Sequence, residues 1–254
     1  YTYSKAFFLS LDVLLIIWTA LLLYILTEQA GTISKIGLWL THLTGDKAMQ
    51  GIFLGWLFPS FLQGMGGFGV PVAVAAPLLV STGFNPVQAL VMSSIGHAWG
   101  VTFGSMASSY QSMMAVTNLP GELLAPASAV MLGILAFISG LLVTFVADGL
   151  RGSKRAFPTT ALISVILAGG QYLLSTNGLW IIAVTVPALI ALIVTYLLIA
   201  RKKSGAENSP VTQKDLLLSL LPYVILVSLT LLFNLVDSIK TTLGKVKFEL
   251  LFPE

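Results

Sequence analysis

Two short stretches hold the residue types that could handle an anion. The first, "QGMGGFG" at 63–69, sets Gln63 beside Gly64, Gly66, Gly67 and Gly69, with Pro71 and Pro77 close behind. Glycine costs about 1 kcal/mol relative to alanine inside a helix, so this spacing predicts a break. Backbone N–H groups freed at such a break, together with the Gln63 amide, would receive a carboxylate with no basic side chain nearby. The second stretch, "SIGHAWGVTFGSMASS" at 94–109, places His97, Thr102, Ser105, Ser108 and Ser109 among Gly96, Gly100 and Gly104. A spacing of four puts those three glycines on one helix face and predicts close packing there, with the hydroxyls as a polar lining. His97 has two readings: it carries a proton near neutral pH or donates to a carboxylate, or it sits neutral against a facing carbonyl. Small-residue helix packing accounts for one or two glycines per helix, but not for the run at 64–69 with its two prolines.

The elements that must position these residues follow from composition. Of 254 residues, 56% are hydrophobic and 9% charged, and the mean hydropathy is +0.93. Soluble domains carry roughly a quarter charged residues, so a water-facing surface could not be covered. No Asp, Glu, Lys or Arg occurs from Ala48 to Gly121 or from Ala156 to Ala200. About 20 apolar residues cross the hydrocarbon layer. The chain is therefore expected to be an all-α polytopic membrane protein, with apolar segments near 7–27, 49–81, 86–112, 122–147, 157–175, 178–199 and 215–236. It begins on Tyr1, shows no cleavable leader pattern, and reads as an internal piece of a longer protein forming one transmembrane domain over 1–254.

Several function classes drop out. The chain has no Cys, which removes disulfides and thiolate metal sites from this piece. The net charge of +3 comes from Lys and Arg lying between spans, so it is a topology signal and not a nucleic-acid one. No His or carboxylate pair has metal-ligand spacing, and no cofactor motif occurs. No intramembrane carboxylate accompanies Ser and His at 94–109 to orient the imidazole, which argues against an enzyme.

Cytoplasmic loops are enriched in Lys and Arg, which puts "RGSKR" at 151–155 and the polar linker over 201–214 inside. Keeping Lys35 and Lys47 inside as well makes 49–81 a re-entrant hairpin, with two arms of about 13 residues, each about 20 Å long. Non-helical backbone at such depth is tolerated where it is buried in protein or lines an aqueous cavity. Transporters use breaks of this kind to aim N–H groups and helix dipoles at anionic substrates. Residues 33–44, with His42, suit a helix lying along the membrane surface. Asp12 and Asp148 are expected in structural salt bridges or caps, and Glu122 as a helix-starting carboxylate.

The run "FLQGMGGFGVPVAVAAPLLVSTGFNP" at 61–86 resembles the glycine-rich signature of the lactate permease family. The likeness continues in "HAWGVTFGSM" at 97–106, "DGLRG" at 148–152, Pro158 and "GGQYL" at 169–173. The resemblance implies a secondary transporter in the cell membrane for lactate or a related 2-hydroxymonocarboxylate, generally coupled to proton uptake, with no cofactor. It also implies inverted repeats, each with a re-entrant hairpin and a broken helix, of which this chain would hold the first. Gln63, Gly64, Gly66, Gly67, Gly69, Thr102 and Ser105 are then the substrate-binding candidates. Gln63 stands where many members have Glu, which makes His97 the candidate for proton coupling or points to another ion. A sodium-coupled or exchanging dicarboxylate carrier, and a passive anion channel, are the alternatives. Homodimer formation is left open.

Overall fold

The computed structural model describes residues 44–67, 69–200 and 212–235, with individual helical positions between 7 and 39. Every described element is a helix or turn. The sequence expectations for Asp12, for the surface helix at 33–44 with His42, and for most of the polar linker fall outside these residues. Of the linker, Gln213 and Lys214 are already helical.

The chain enters the bundle at Asp46, whose carboxylate accepts from the N–H groups of Ala48 and Met49 and caps α1 (Lys47–Gln50). Helix α1 runs without a break into a π-helical segment (Gly51–Leu57) and then α2 (Phe58–Met65). The wider turn is visible where the Phe58 N–H reaches back to the Phe53 carbonyl. This arm is wholly buried from Gly51 to Met65. Its glycines admit neighbours: a Cβ on Gly51 would lie 2.7 Å from the Ala147 Cβ, and one on Gly55 3.1 Å from the Met92 Cβ.

Helix α3 (Val70–Ser81) returns along α2. Its N-cap is Gly69 at φ 89°, and Pro71 sits in the first turn, where a missing N–H costs nothing. The base of the hairpin is clasped: Lys47 Nζ donates to the Thr82 carbonyl at 2.7 Å and lies 4.3 Å from the Phe84 ring centroid. The two arms, 47–65 and 70–81, are unequal, in contrast to the matched arms expected from the sequence.

Helix α4 (Pro86–Ala98) starts from an Asn85 cap, whose side chain accepts from the Gln88 N–H at 2.8 Å. After a turn at 99–103 comes α5 (Gly104–Thr117). The break between them corrects one expectation. Gly96, Gly100 and Gly104 do not share a helix face, because Gly104 opens the second helix. Each still allows a close approach, to the Gly55 backbone, to Val184 and to Gln63 respectively.

Helix α6 (Gly121–Thr176) holds two antiparallel halves, 121–147 and 150–176, divided where Asp148 and Gly149 leave helical geometry. Gly149 has φ 64° and ψ −165°, which a side chain would resist. The halves fold against each other, with Phe137 and Phe157 ring centroids 6.2 Å apart, and a Cβ on Gly133 would lie 2.9 Å from the Ala168 Cβ. "RGSKR" is thus not a connecting loop: it is the first helical turn after the reversal. Asp148 pairs with Arg155 at 2.9 Å, not with Arg151, and Arg155 also reaches Asp46 at 2.8 Å. A short 3-10 turn (Trp180–Ile182), α7 (Thr185–Ala200) and α8 (Gln213–Leu235) complete the described fold.

Along 121–147 most buried positions are small, and they receive large side chains such as Trp56 from the hairpin arm. The inner face of 121–147 carries Ala125, Ala129, Gly133, Ala136, Gly140 and Ala147, while Leu123, Met131, Ile134 and Phe145 point outward and are exposed. Lipid removes the hydrophobic drive between helices, so small residues that let backbones approach hold such a bundle together. Gly121–Thr176 and Trp180–Ile199 are each long and apolar enough to cross a membrane. Several buried hydroxyls are returned to their own helices: Ser93 to the Ala89 carbonyl, Thr144 to Gly140, Thr160 to Ala156, Thr195 to Ala191. That pairing is needed where no water can satisfy them. The fold is all-α and polytopic.

Candidate binding site at the glycine break

Gln63 lies in the last turn of α2 and is 3% exposed. The backbone leaves helical geometry three residues on, at Gly66 (φ −144°, ψ 84°). The Gly67 N–H then donates to Ser105 Oγ at 2.9 Å. This bond joins the hairpin tip to the start of α5 across 38 positions of sequence.

Ser105 reaches that position through an unusual backbone. Ser105, Met106 and Ala107 have φ of 50°, 55° and 61°, one left-handed turn at the head of α5. Left-handed geometry costs about 1–2 kcal/mol per non-glycine residue. Strain of this order persists where surrounding structure over-determines it, and it clusters at functional sites.

The Gln63 side chain fills the corner between these elements. A Cβ on Gly67 would meet Ser105 Oγ and the Gln63 amide, with Nε2 at 2.8 Å, and one on Gly104 would meet the Gln63 carbonyl oxygen at 2.9 Å. Gly100 lies between Val184 and Gln63, 3.0 Å and 3.7 Å from its notional Cβ. Among the described residues the Gln63 amide has no hydrogen-bond partner. The amide offers two donors and an acceptor to whatever enters.

The other candidates are placed as follows. Gly64 is pressed against Thr185 at the head of α7, whose backbone N would lie 2.8 Å from a Cβ there. Gly66 closes α2, its N–H donating to the Leu62 carbonyl at 2.9 Å. Gly69 faces open space and is exposed. Thr102 is half-exposed in the turn between α4 and α5. His97 is half-buried on α4, with Nδ1 2.7 Å from the Ser93 carbonyl. A carbonyl only accepts, so Nδ1 carries the hydrogen of this contact. The structure therefore brings Gln63, Gly64, Gly67 and Ser105 together, while His97 is tied to its own helix.

Ser60 and Trp99 brace the site from behind. Ser60 Oγ donates to the Trp56 carbonyl at 2.7 Å and accepts from Trp99 Nε1 at 2.8 Å. Thr185 was not singled out by the sequence. The signal available was a threonine two residues before Pro187 in an apolar run, a helix-start pattern. No cluster of three or more His, Asp or Glu able to hold a metal occurs among the described residues.

A helical bundle with large apolar side chains exposed on its outer face and a polar glycine break in its interior defines an integral membrane protein of the permease type. The chain belongs to the L-lactate permease family, whose model matches residues 2–248. It is similar to the L-lactate permease of Streptococcus iniae, 28% identical over 92% of this chain and 51% of that protein. The L-lactate permease of Bacillus subtilis is 30% identical over 63% of this chain and 28% of its own length. The glycolate permease GlcA of Escherichia coli is 29% identical over 62% of this chain and 27% of its own. The chain thus spans about half, or less, of the length of the curated relatives it matches. No solved structure matches it. The family is one of permeases, and an enzymatic reading has no support.

Proposed function

We propose that this chain, as part of a longer permease, supplies one side of the substrate site of a secondary transporter. The transporter takes up lactate or a related 2-hydroxymonocarboxylate across the cytoplasmic membrane. The observation that carries the reading is the unpartnered Gln63 amide, buried in an apolar bundle beside the Gly67–Ser105 junction. Similarity to lactate and glycolate permeases supports the substrate class. A carboxylate at the break would be met by amide and backbone N–H donors alone, since no basic residue occurs from Ala48 to Gly121.

The hairpin is read as re-entrant from the cytoplasmic face. Lys47 at its base and Arg155 at the α6 elbow lie at the same end of the bundle, bridged through Asp46, and basic residues favour the cytoplasmic side. Coupling is read as proton symport, with His97 as the candidate coupling residue, because Gln63 cannot ionise.

The test is uptake of labelled L-lactate by the full-length protein in sealed liposomes, with an inward proton gradient imposed and then collapsed. Accumulation that vanishes on collapse, and that glycolate competes away, supports the reading. Uptake that needs sodium instead rejects the proton and His97 while keeping the carrier. No carboxylate accumulation under either gradient rejects the carrier.

A further inference from the structure

Thr185 opens α7 with a buried hydroxyl that no protein group engages. It is 1% exposed, and among the described residues its Oγ1 is the only fully buried hydroxyl oxygen without a hydrogen-bond partner. The contrast with its neighbours is informative. Ser60, Ser93, Thr144, Thr160, Ser164 and Thr195 each donate to a carbonyl, mostly four residues back. Thr185 lacks that outlet because the residues before it form a 3-10 helix and a turn instead of an α-helical turn.

Its surroundings are those of the glycine break. Thr185 Oγ1 and N lie directly against Gly64, and Val184 lies against Gly100, the glycine that also borders Gln63. Thr185 and Val186 are the first two residues of α7. The first N–H groups of a helix have no intrahelical partner, and the aligned peptides put about half a positive charge at that end. Helix α7 runs over 16 residues, long enough for the effect to develop. Pro187, the third residue, carries no N–H, so the first-turn donors are those of Thr185 and Val186.

We infer that the Thr185 hydroxyl and the N-terminus of α7 hold the carboxylate of the transported acid, across from the Gln63 amide. The inference rests on the carrier reading above and deepens it. The anion would be bound between two chain breaks, one in the hairpin and one before α7. The hydroxyl supplies a neutral donor, and the helix end supplies positive potential without a basic side chain. A 2-hydroxymonocarboxylate suits such a pairing, because its carboxylate and its hydroxyl need a donor-rich side and an acceptor side, and the Gln63 oxygen offers the latter.

The experiment compares wild-type full-length protein with Thr185→Val, Thr185→Ala and Thr185→Ser, by L-lactate uptake in liposomes and by lactate-induced shift of the melting temperature in detergent. Valine keeps the branched shape and removes the hydroxyl, so the unliganded melting temperature should hold or rise, because an orphaned polar group is deleted. The KM for L-lactate should rise at least tenfold and the lactate-induced shift should disappear. Serine should restore most of both. If valine lowers the unliganded stability, alanine gives the same comparison without the branch. Wild-type KM and a wild-type lactate shift in both apolar variants would overturn the inference and leave the carrier standing. A wild-type protein that neither binds nor accumulates the acid would overturn both.

Discussion

The N–H of Gly67 is bound to the hydroxyl of Ser105 at 2.9 Å, and a methyl group on Gly67 would occupy the space that this hydroxyl and the Gln63 amide now fill. The tip of the hairpin and the head of α5 therefore share one position. Gly67→Ala should insert into the membrane normally and lose uptake, measured as lactate accumulation per inserted protein. Uptake near wild-type would remove Gly67 from the site.

Ser105→Ala tests the same junction from the other side. It leaves the Gly67 N–H buried without an acceptor, a cost of about 1–3 kcal/mol. Uptake should fall by about tenfold if that strain is released by moving the tip, since tenfold corresponds to 1.4 kcal/mol. An unchanged rate with a lowered melting temperature would make the bond purely structural.

Ala107→Gly addresses the left-handed turn. In an ordinary helix this change costs about 1 kcal/mol. At φ 61° it should instead relieve about 1–2 kcal/mol, partly offset by the loss of a fully buried methyl worth about 0.8 kcal/mol. The melting temperature should hold or rise. A clear fall would mean that the turn is right-handed in the working protein.

Gln171 is 0% exposed, and among the described residues neither its Nε2 nor its Oε1 has a partner. Methionine is close in shape and needs none. Gln171→Met should raise the melting temperature, and a fall of several degrees would show that the amide is engaged in the full-length protein.

Arg155 bridges Asp46 and Asp148 but is 60% exposed, and such pairs contribute little, about 0–1 kcal/mol. Arg155→Met should lower stability slightly at low salt and not at all at high salt. A large loss that salt does not erase would show the elbow to be a structural lock.

The glycine break was legible because residue type alone forbids a stable helix at 64–69, and Pro71 marks where the next helix starts. The second break was legible for the same reason, though its hand was not: nothing in "SMA" announces three left-handed residues, and only the docking of Ser105 onto Gly67 requires them. The reversal at Asp148–Gly149 had a signal, the Asp-Gly dipeptide, that the neighbouring cluster of basic residues obscured. The π-helical stretch at 51–57 had none, since its register follows from how closely Val143, Ala147 and Met92 approach Gly51 and Gly55. Thr185 was hidden because one hydroxyl in an apolar run looks like a helix residue bonding backward, and only the 3-10 turn before it denies that bond.

Gly140 receives the indole of Trp56, and a Cβ there would come within 2.8 Å of its Cζ2. Along 121–147 the buried face is thus marked mainly by small volume, since both faces are apolar. A saturation scan along 121–147 would leave a record unlike that of a water-soluble helix. Outward positions such as Met131 and Ile134 would accept nearly any aliphatic or aromatic replacement, while Gly133 and Gly140 would reject a single added carbon.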